Sequence, residues 1–390
     1  MIHPYEPDLL GFARRHAVPV TFVALCLTLC VLSGQGPAFL AGEVVTRLVR
    51  NSFTTLSLIV PVLAGLGLNF GIVLGAMAAQ MAVIAVVHWN MSGLSGFLAA
   101  AALAVPLALV FGWLVGLLFN RAKGREMVTG LIASFFANGL YQLLFLFLVG
   151  TLIPFHDPGL LLPEGYGLRN TVNLAPVNYA LDDILSATWI PHQGVTWAVG
   201  GAKKADSAPS VELPNPVAQN TSGQGTPVKV PIGTFVVIAG LCLAIGALMS
   251  TKLGQDMRAV GQDMHIAEIA GIPVDRTRLI AVAISTVLAA WGHLVYLQNM
   301  GTLNTYSSHE QIGMFGVASL LVGGASVTRA TVWQALLGTL LFHTLFVTSP
   351  LAGKTLMGDP QIGEFFRVFV AYGVIALALA LHAWRGGNQK

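Results

Sequence analysis

The sequence predicts an all-α polytopic membrane protein with about ten transmembrane helices, a broken helix pair near residue 69 and a large extracytoplasmic insert. Three observations predict it: composition, the lengths of the apolar runs, and the placement of the basic residues. Over 390 residues the chain is 55% hydrophobic and 9% charged, with a mean hydropathy of +0.74. A soluble domain carries about 25% charged residues, and disorder requires low hydrophobicity with high charge density. The 43 glycines show no G-X-Y period, which excludes collagen. Most of the apolar runs are long enough to span a hydrocarbon core of about 30 Å at 1.5 Å per residue. The net charge of +3 is spread through short loops. It speaks for orientation in a membrane and against nucleic acid.

The first run, 18–34, follows Arg14, Arg15 and His16 and resembles a secretory signal; we count it as a retained first span. Further runs lie at 54–68, 69–88, 96–119, 128–153, 231–250, 279–298, 313–326, 330–349 and 364–384. The fourteen residues of 313–326 barely cross. Basic clusters fall at Arg14/Arg15, Arg121/Lys123/Arg125, Lys252/Arg258/Arg276/Arg278, Arg329 and Arg385/Lys390, together 12 of the 20 Lys and Arg. With ten passes and both termini cytoplasmic, all five clusters land on the inner side. That count requires 54–88 to be two passes or a broken hairpin hinged near Leu68-Asn69. The chain then divides into an N-terminal transmembrane half (1–153), an extracytoplasmic insert (154–230) and a C-terminal half (231–390) carrying a cytoplasmic loop at 251–278.

The insert holds nine of the nineteen prolines and the Asp182/Asp183 and Lys203/Lys204 pairs. Leu181, Ile184, Leu185 and Trp189 are spaced for a short amphipathic helix over 178–190, and 201–230 reads as a linker. The insert is either a docking surface or lid for an outside partner, or a decorated loop.

Few ionisable residues interrupt the spans. His343 sits mid-span and reads as a hydrogen-bonded packing residue; Arg367 and Glu364 lie near a span end and can snorkel. Ion-coupled carriers bury such groups near the midplane. Cys26, Cys30 and Cys242 all fall in apolar runs and read as small buried hydrophobes, with no metal or disulfide role. No GxxxxGK[ST] phosphate loop, HExxH, CxxC or Ser/His/Asp constellation is present. The chain therefore reads as no enzyme, with no catalytic residue, metal site or cofactor of its own.

Two stretches carry signal. In 65–80, Gly67, Gly71, Gly75 and Ala79 recur every four residues, a stripe that admits a close helix neighbour. Asn69 and Gln80 interrupt the apolar run, and polar or broken helix at membrane depth is tolerated where it lines a path or is buried in protein. Asn138 and Gln142, one turn apart, share a face of the 128–153 span, suited either to a path or to interhelical hydrogen bonds. In 251–278, Gln262 or Asp263 can cap a short helix over 264–270, which Gly271 and Pro273 end. So short a helix needs a docking surface, and its small apolar side (Ile266, Ile269, Ala270) grips a membrane weakly.

The run Gly254…Arg258-Ala-Val-Gly261…Ala267…Ala270-Gly271-Ile272…Val274-Asp-Arg276 resembles the coupling loop of bacterial ABC-importer permeases that serve ribose and related sugars, nucleosides and branched-chain amino acids. Leu68-Asn69-Phe70-Gly71 and Val317-Ala-Ser-Leu-Leu-Val-Gly-Gly-Ala-Ser326 extend the resemblance over most of 51–384, leaving out the insert. Sugar permeases of that family usually carry a further glycine pair where this chain has Thr328-Arg329-Ala330.

The resemblance implies an inner-membrane permease subunit working with ATP-binding subunits, a second permease chain (the same or related) and an extracytoplasmic solute-binding protein. ATP and Mg would reside in the partner ATPase. It implies contact with the ATPase through Asp263, Ile266, Glu268, Ala270, Gly271 and Ile272. The polar residues that interrupt the apolar runs put a translocation path near Asn69, Phe70, Gln80, Asn138 and Gln142. The neutral lining suits a sugar or nucleoside. A secondary carrier or channel without an ATPase, and a non-transporting scaffold, are the alternatives.

Overall fold

A proline at the first turn opens a helix much earlier than the second apolar run. In the computed structural model α1 (Ala17–Leu32) is followed by α2 (Pro37–Ser57), whose Pro37 sits where a missing N–H costs nothing. The expected span at 54–68 is thus corrected. The helix starts at Pro37, and its first two-thirds are amphipathic, carrying Glu43, Arg47 and Arg50. A run-length reading is blind to such a helix because its apolar residues are not consecutive. The described residues are 17–387 except 156, 158, 164, 191–193 and 200–227.

After α2 comes one turn, α3 (Ile59–Leu63), and then the expected break. Gly65 and Gly67 adopt positive φ within 64–71, and α4 (Ile72–His88) begins beyond them. The glycine stripe therefore divides: Gly67 serves the break, and Gly75 serves packing. A methyl group at Gly75 would fall 2.4 Å from the Thr286 carbonyl oxygen.

Helices α5 (Gly93–Arg121) and α6 (Glu126–Leu143) follow, α6 running on as a π-turn over Leu144–Leu148. Next, β1 (Thr171–Asn173), β2 (Leu185–Ile190), β3 (Gly194–Val199) and β4 (Val228–Val230) make short pairings, β2 lying between β3 and β4. The amphipathic helix expected over 178–190 is not formed. Residues 179–184 turn, and the β-branched and aromatic run Thr188-Trp189-Ile190 suits a strand. Most of the expected 201–230 linker, Lys203 and Lys204 included, lies outside the described residues.

The remaining elements are α7 (Ile232–Ser250), α8 (Lys252–Gln262), α9 (Met264–Ile269), α10 (Val274–Met300), β5 (Thr302–Asn304), α11 (Glu310–Val322), α12 (Val332–Met357) and α13 (Pro360–Gly387). β5 pairs antiparallel with β1, Leu303 opposite Val172. α11 starts before and stops short of the expected 313–326 run. Thr331 and Gln334 then form a capping box that starts α12.

The core centres on α10, which packs against α2, α4 and α5, while α12 packs against α1, α2, α11 and α13. Both halves of the chain therefore contribute to one apolar core. Five described helices are long and apolar enough to cross a membrane: α5, α6 with its π-turn, α7, α10 and α12. Large apolar side chains such as Phe135, Phe136 and Leu243 point outward, a surface that water disfavours and lipid does not. The chain is an all-α membrane protein with small β-pairings outside the helices.

The bundle has two distinct ends. At one, the α5–α6 turn meets the 251–278 loop through an ion pair of Lys123 with Asp275 (2.6 Å). The 323–331 turn joins them, since Val327 and Thr328 share a cleft with Gly65, Gly124 and Arg125. Gly324 there abuts Pro19 at the start of α1. At the other end lie the β1–β5 pair and a clamp in which Asp182 accepts from the Thr234 amide (2.9 Å) and hydroxyl at the start of α7. Gln298 of α10 donates to the same hydroxyl (3.1 Å).

Candidate functional site

The loop over 251–278 contains one more helix than its sequence suggests. Thr251 caps α8 by accepting from the Gly254 amide (3.3 Å). Asp263 then caps α9, its Oδ1 accepting from the amides of His265 (2.8 Å) and Ile266 (3.0 Å). Gly271 ends α9 at φ +81°, a left-handed conformation that a side chain would strain. Val260, Ala267 and Val274 form a small core of the loop, with Met264 and Ile272 against it.

That core sorts the residues expected to meet an ATPase. Ile272 packs inward and Asp263 serves as a cap. Ile266, Glu268, Ala270 and Gly271 are exposed, and Ile269 joins them. Ile266 and Ile269 are 65% and 74% exposed, an unpartnered apolar pair on a rigidly capped turn.

The loop is tied to the bundle at two places. Gly261 of α8 lies against the backbone of Leu63 and Gly65 in the break. Arg278, fully buried, reaches four groups. It donates from Nη2 to Glu126 Oε1 and to the Phe119 carbonyl (3.3 Å), from Nε to Asn120 Oδ1 (3.1 Å), and from Nη1 to Met264 Sδ (2.8 Å). One side chain thus joins α9, α10 and the α5–α6 hairpin. Its position at the edge of an apolar run made it look like a loop cation, and only tertiary contacts place it inside.

The second assembly is a polar seam inside the helices. Gln80 of α4 is fully buried. Its Oε1 faces the Tyr141 hydroxyl (2.8 Å) and His309 Nδ1 (2.9 Å), and its Nε2 faces His293 Nε2 (3.2 Å). On its other side His309 Nε2 meets Asn138 Oδ1 (2.9 Å). Asn138 donates to Glu310 and accepts from Gln142 (3.4 Å).

The proton inventory constrains the seam. His309 faces two amide oxygens, and a neutral ring can donate to only one of them. Exchanging the Gln80 amide O and N satisfies every pair with both histidines neutral. His293 then donates to Gln80 oxygen, the Gln80 amide group donates to Tyr141 and His309, and His309 donates to Asn138.

The structure brings Gln80, Asn138 and Gln142 together and leaves Asn69 and Phe70 apart, more than two helical turns along α4. Asn69 Oδ1 accepts from the Gly71 amide (2.8 Å) and helps start α4. The Phe70 carbonyl accepts from the Ser134 hydroxyl (2.9 Å), tying the break to α6. Sequence reasoning missed His293, Tyr141, His309 and Glu310. Two were findable: His293 interrupts the 279–298 run, and Tyr141 shares the α6 face of Asn138 and Gln142. The expectation that the spans are nearly empty of ionisable groups is corrected by His293, buried within α10. No group of three or more His, Cys, Asp or Glu placed for a metal occurs among the described residues.

An outward-apolar bundle enclosing a buried polar seam, with a capped helix presented at one end, defines a multi-pass membrane protein. Residues 53–379 match the family described as the branched-chain amino acid transport system permease component, and the chain belongs to that family. It is similar to the fructose import permease protein FruG of Bifidobacterium longum, at 22% identity over 96% of this chain and 94% of that protein. It is also similar to the nucleoside ABC transporter permease protein NupB of Lactococcus lactis, at 32% over 37% of this chain and 38% of that protein. The autoinducer 2 import system permease protein LsrC of Klebsiella pneumoniae is 33% identical over 39% of this chain and 45% of its own. No solved structure matches the chain. The chain is an ABC-importer permease of this family.

Proposed function

We propose that the chain forms the translocation path for a small polar, uncharged solute, a sugar or nucleoside, and couples it to ATP hydrolysis by a separate subunit. The observation that carries this reading is the docked loop. Ile266 and Ile269 stand exposed beside Glu268 on a capped turn that is fastened to the α4 break and to the α5–α6 hairpin. Burying one such isoleucine against a partner is worth about 1.5–3 kcal/mol, and a push on the turn passes into α4 and α6, the helices that carry Gln80, Asn138 and Gln142.

Ten passes follow if α1, α2, α4, α5, α6, α7, α10, α11, α12 and α13 each cross. The end carrying Arg121, Lys123, Arg125, Arg258, Arg276 and Arg329 then faces the cytoplasm, by the positive-inside rule. Both termini lie on that side and 154–230 lies outside, where a solute-binding protein delivers the solute. α6, with Ile132, Phe135 and Phe136 all exposed, offers a face for a second permease chain. The seam favours an uncharged hydroxylated solute, because amides, imidazoles and a phenol donate and accept without demanding a counter-charge. Fructose, nucleosides and xylose figure in the names of the similar permeases.

The test is copurification from native membranes in mild detergent, with mass spectrometry of the eluate. An ATPase subunit that accompanies the native chain and is lost with Ile266→Asp/Ile269→Asp supports the reading. A chain that purifies alone under several detergents sinks it.

A further inference from the structure

Between α2, α10, α11 and α12 lies a cavity of about 70 Å³ that the seam does not use. Its wall includes Arg47, Arg50 and Asn51 of α2, Ser308 and Gln311 at the head of α11, and His343 of α12. Arg47 pairs with Glu43 one turn back (3.4 Å), both partly buried. Arg50 has no carboxylate partner among the described residues. Its Nη1 donates to Asn299 Oδ1 (3.3 Å) and to Met300 Sδ (2.8 Å), and its buried Nε meets nothing. His343 is 3% exposed, and neither ring nitrogen has a partner. The hydrogen-bonded packing role expected for His343 is therefore not what the structure shows.

Arg50 is half-buried and lies over the Tyr296 ring. Its Nε–H and both nitrogens of the buried His343 ring have no hydrogen-bond partner, and an anion at hydrogen-bond distance relieves that cost. The donors converging here (an Arg Nε–H, an imidazole N–H, amide and hydroxyl groups) are the set that holds carboxylates and phosphates. About 70 Å³ is open to water centres, several times the roughly 10–15 Å³ that one water needs, so a small oxyanion group fits. Two arginines exclude a cation. We propose that this cavity is a binding site for a single oxyanion, supplied as a free ion or as the phosphate of a lipid headgroup. The site stands independently of the transport reading and is separate from the seam.

The test uses the full chain, purified in detergent. Its Tm is followed while sodium phosphate replaces sodium chloride at constant ionic strength. The expected result is a saturable rise in Tm, lost in Arg50→Gln and Arg47→Gln and kept in Arg367→Gln, whose guanidinium lies over Phe346 without lining the cavity. A parallel arm places the chain in phosphatidylcholine nanodiscs with or without phosphatidylglycerol. A rise only with the anionic lipid supports the site and assigns it to a headgroup. Should Arg50→Gln not purify as a monodisperse species, Arg50→Lys is used, and a weakened phosphate response is expected. No phosphate- or phosphatidylglycerol-dependent rise in the native chain, or an equal rise in the Arg47 and Arg50 variants, overturns the proposal.

Discussion

Gly261 and Leu63, 198 positions apart, touch backbone to backbone: a methyl group on Gly261 would fall 2.1 Å from the Leu63 carbonyl oxygen. The contact locks α8 against the turn that precedes α4, so the loop and the broken helix form one mechanical unit. Gly261→Ala must push α8 off the break. The expected outcome is a destabilisation of about 1–3 kcal/mol, the usual cost of overpacking, read as a lower Tm of the purified chain. An unchanged Tm would show that the two segments part without cost.

Arg278 and Glu126 form a buried ion pair, at 0% and 8% side-chain exposure. Removing one partner leaves the other charge uncompensated, which costs about 3–5 kcal/mol. Glu126→Gln and Arg278→Met are each expected to lower Tm strongly, and the double variant is expected to cost less than their sum. Strict additivity in that double-mutant cycle would mean that the pair carries no mutual energy.

Glu268 and Gly271 test the coupling assignment. Glu268→Lys reverses an exposed charge beside Ile266 and Ile269, and Gly271→Val strains the left-handed turn by about 1–2 kcal/mol. Both variants are expected to reach the membrane and to uncouple ATP hydrolysis from uptake in the reconstituted complex. Normal substrate-stimulated ATPase activity with normal uptake would remove these residues from the coupling surface.

The seam makes a separate prediction. Gln80→Leu removes the group that His293, Tyr141 and His309 share, leaving buried polar atoms unpaired at about 1–3 kcal/mol each. Uptake is expected to fall at least about tenfold with insertion preserved, and Asn138→Ala is expected to act in the same direction. Uptake at native rates in both would leave the seam a packing device.

Asp182, in the clamp outside the helices, supplies a pH test. Burial, with the Asp183 charge adding to it, outweighs the Thr234 hydrogen bonds and raises its carboxyl above the ordinary range. The folded chain then holds this proton more tightly than the unfolded one. The stability tied to the group is present below the ordinary aspartate value of about 3.9 and is lost as pH rises through the raised one. Asp182→Asn keeps an acceptor for the Thr234 amide. Its Tm is expected to decline less than that of the native chain over that window; parallel curves would refute the assignment.

Much of this was legible in the chain. The 264–270 helix, its Asp263 cap and its Gly271 stop are local: a carboxylate two or three residues before free amides, then a residue able to take positive φ. The break before α4 was legible for the same reason. What escaped was non-local. α2 was half hidden because Glu43, Arg47 and Arg50 break the apolar run while leaving the helical face intact. The strand at 185–190 was misread because leucine and isoleucine spacing fits two periods, and pairing with β3 and β4 decides between them.

The sequence by itself determined that this chain lives in a membrane, because apolar area per residue is a property of composition. It also determined the family, through a loop whose caps and glycines are set by neighbours within a few positions. Tertiary structure alone decided which polar residues meet. Gln80, Asn138 and Gln142 join His293 and His309, while Asn69 stays apart, because helix packing sets the depth and facing of each side chain. It also decided that Arg278 is buried and that His343 is left without a partner, since burial and partnership depend on residues more than a hundred positions away.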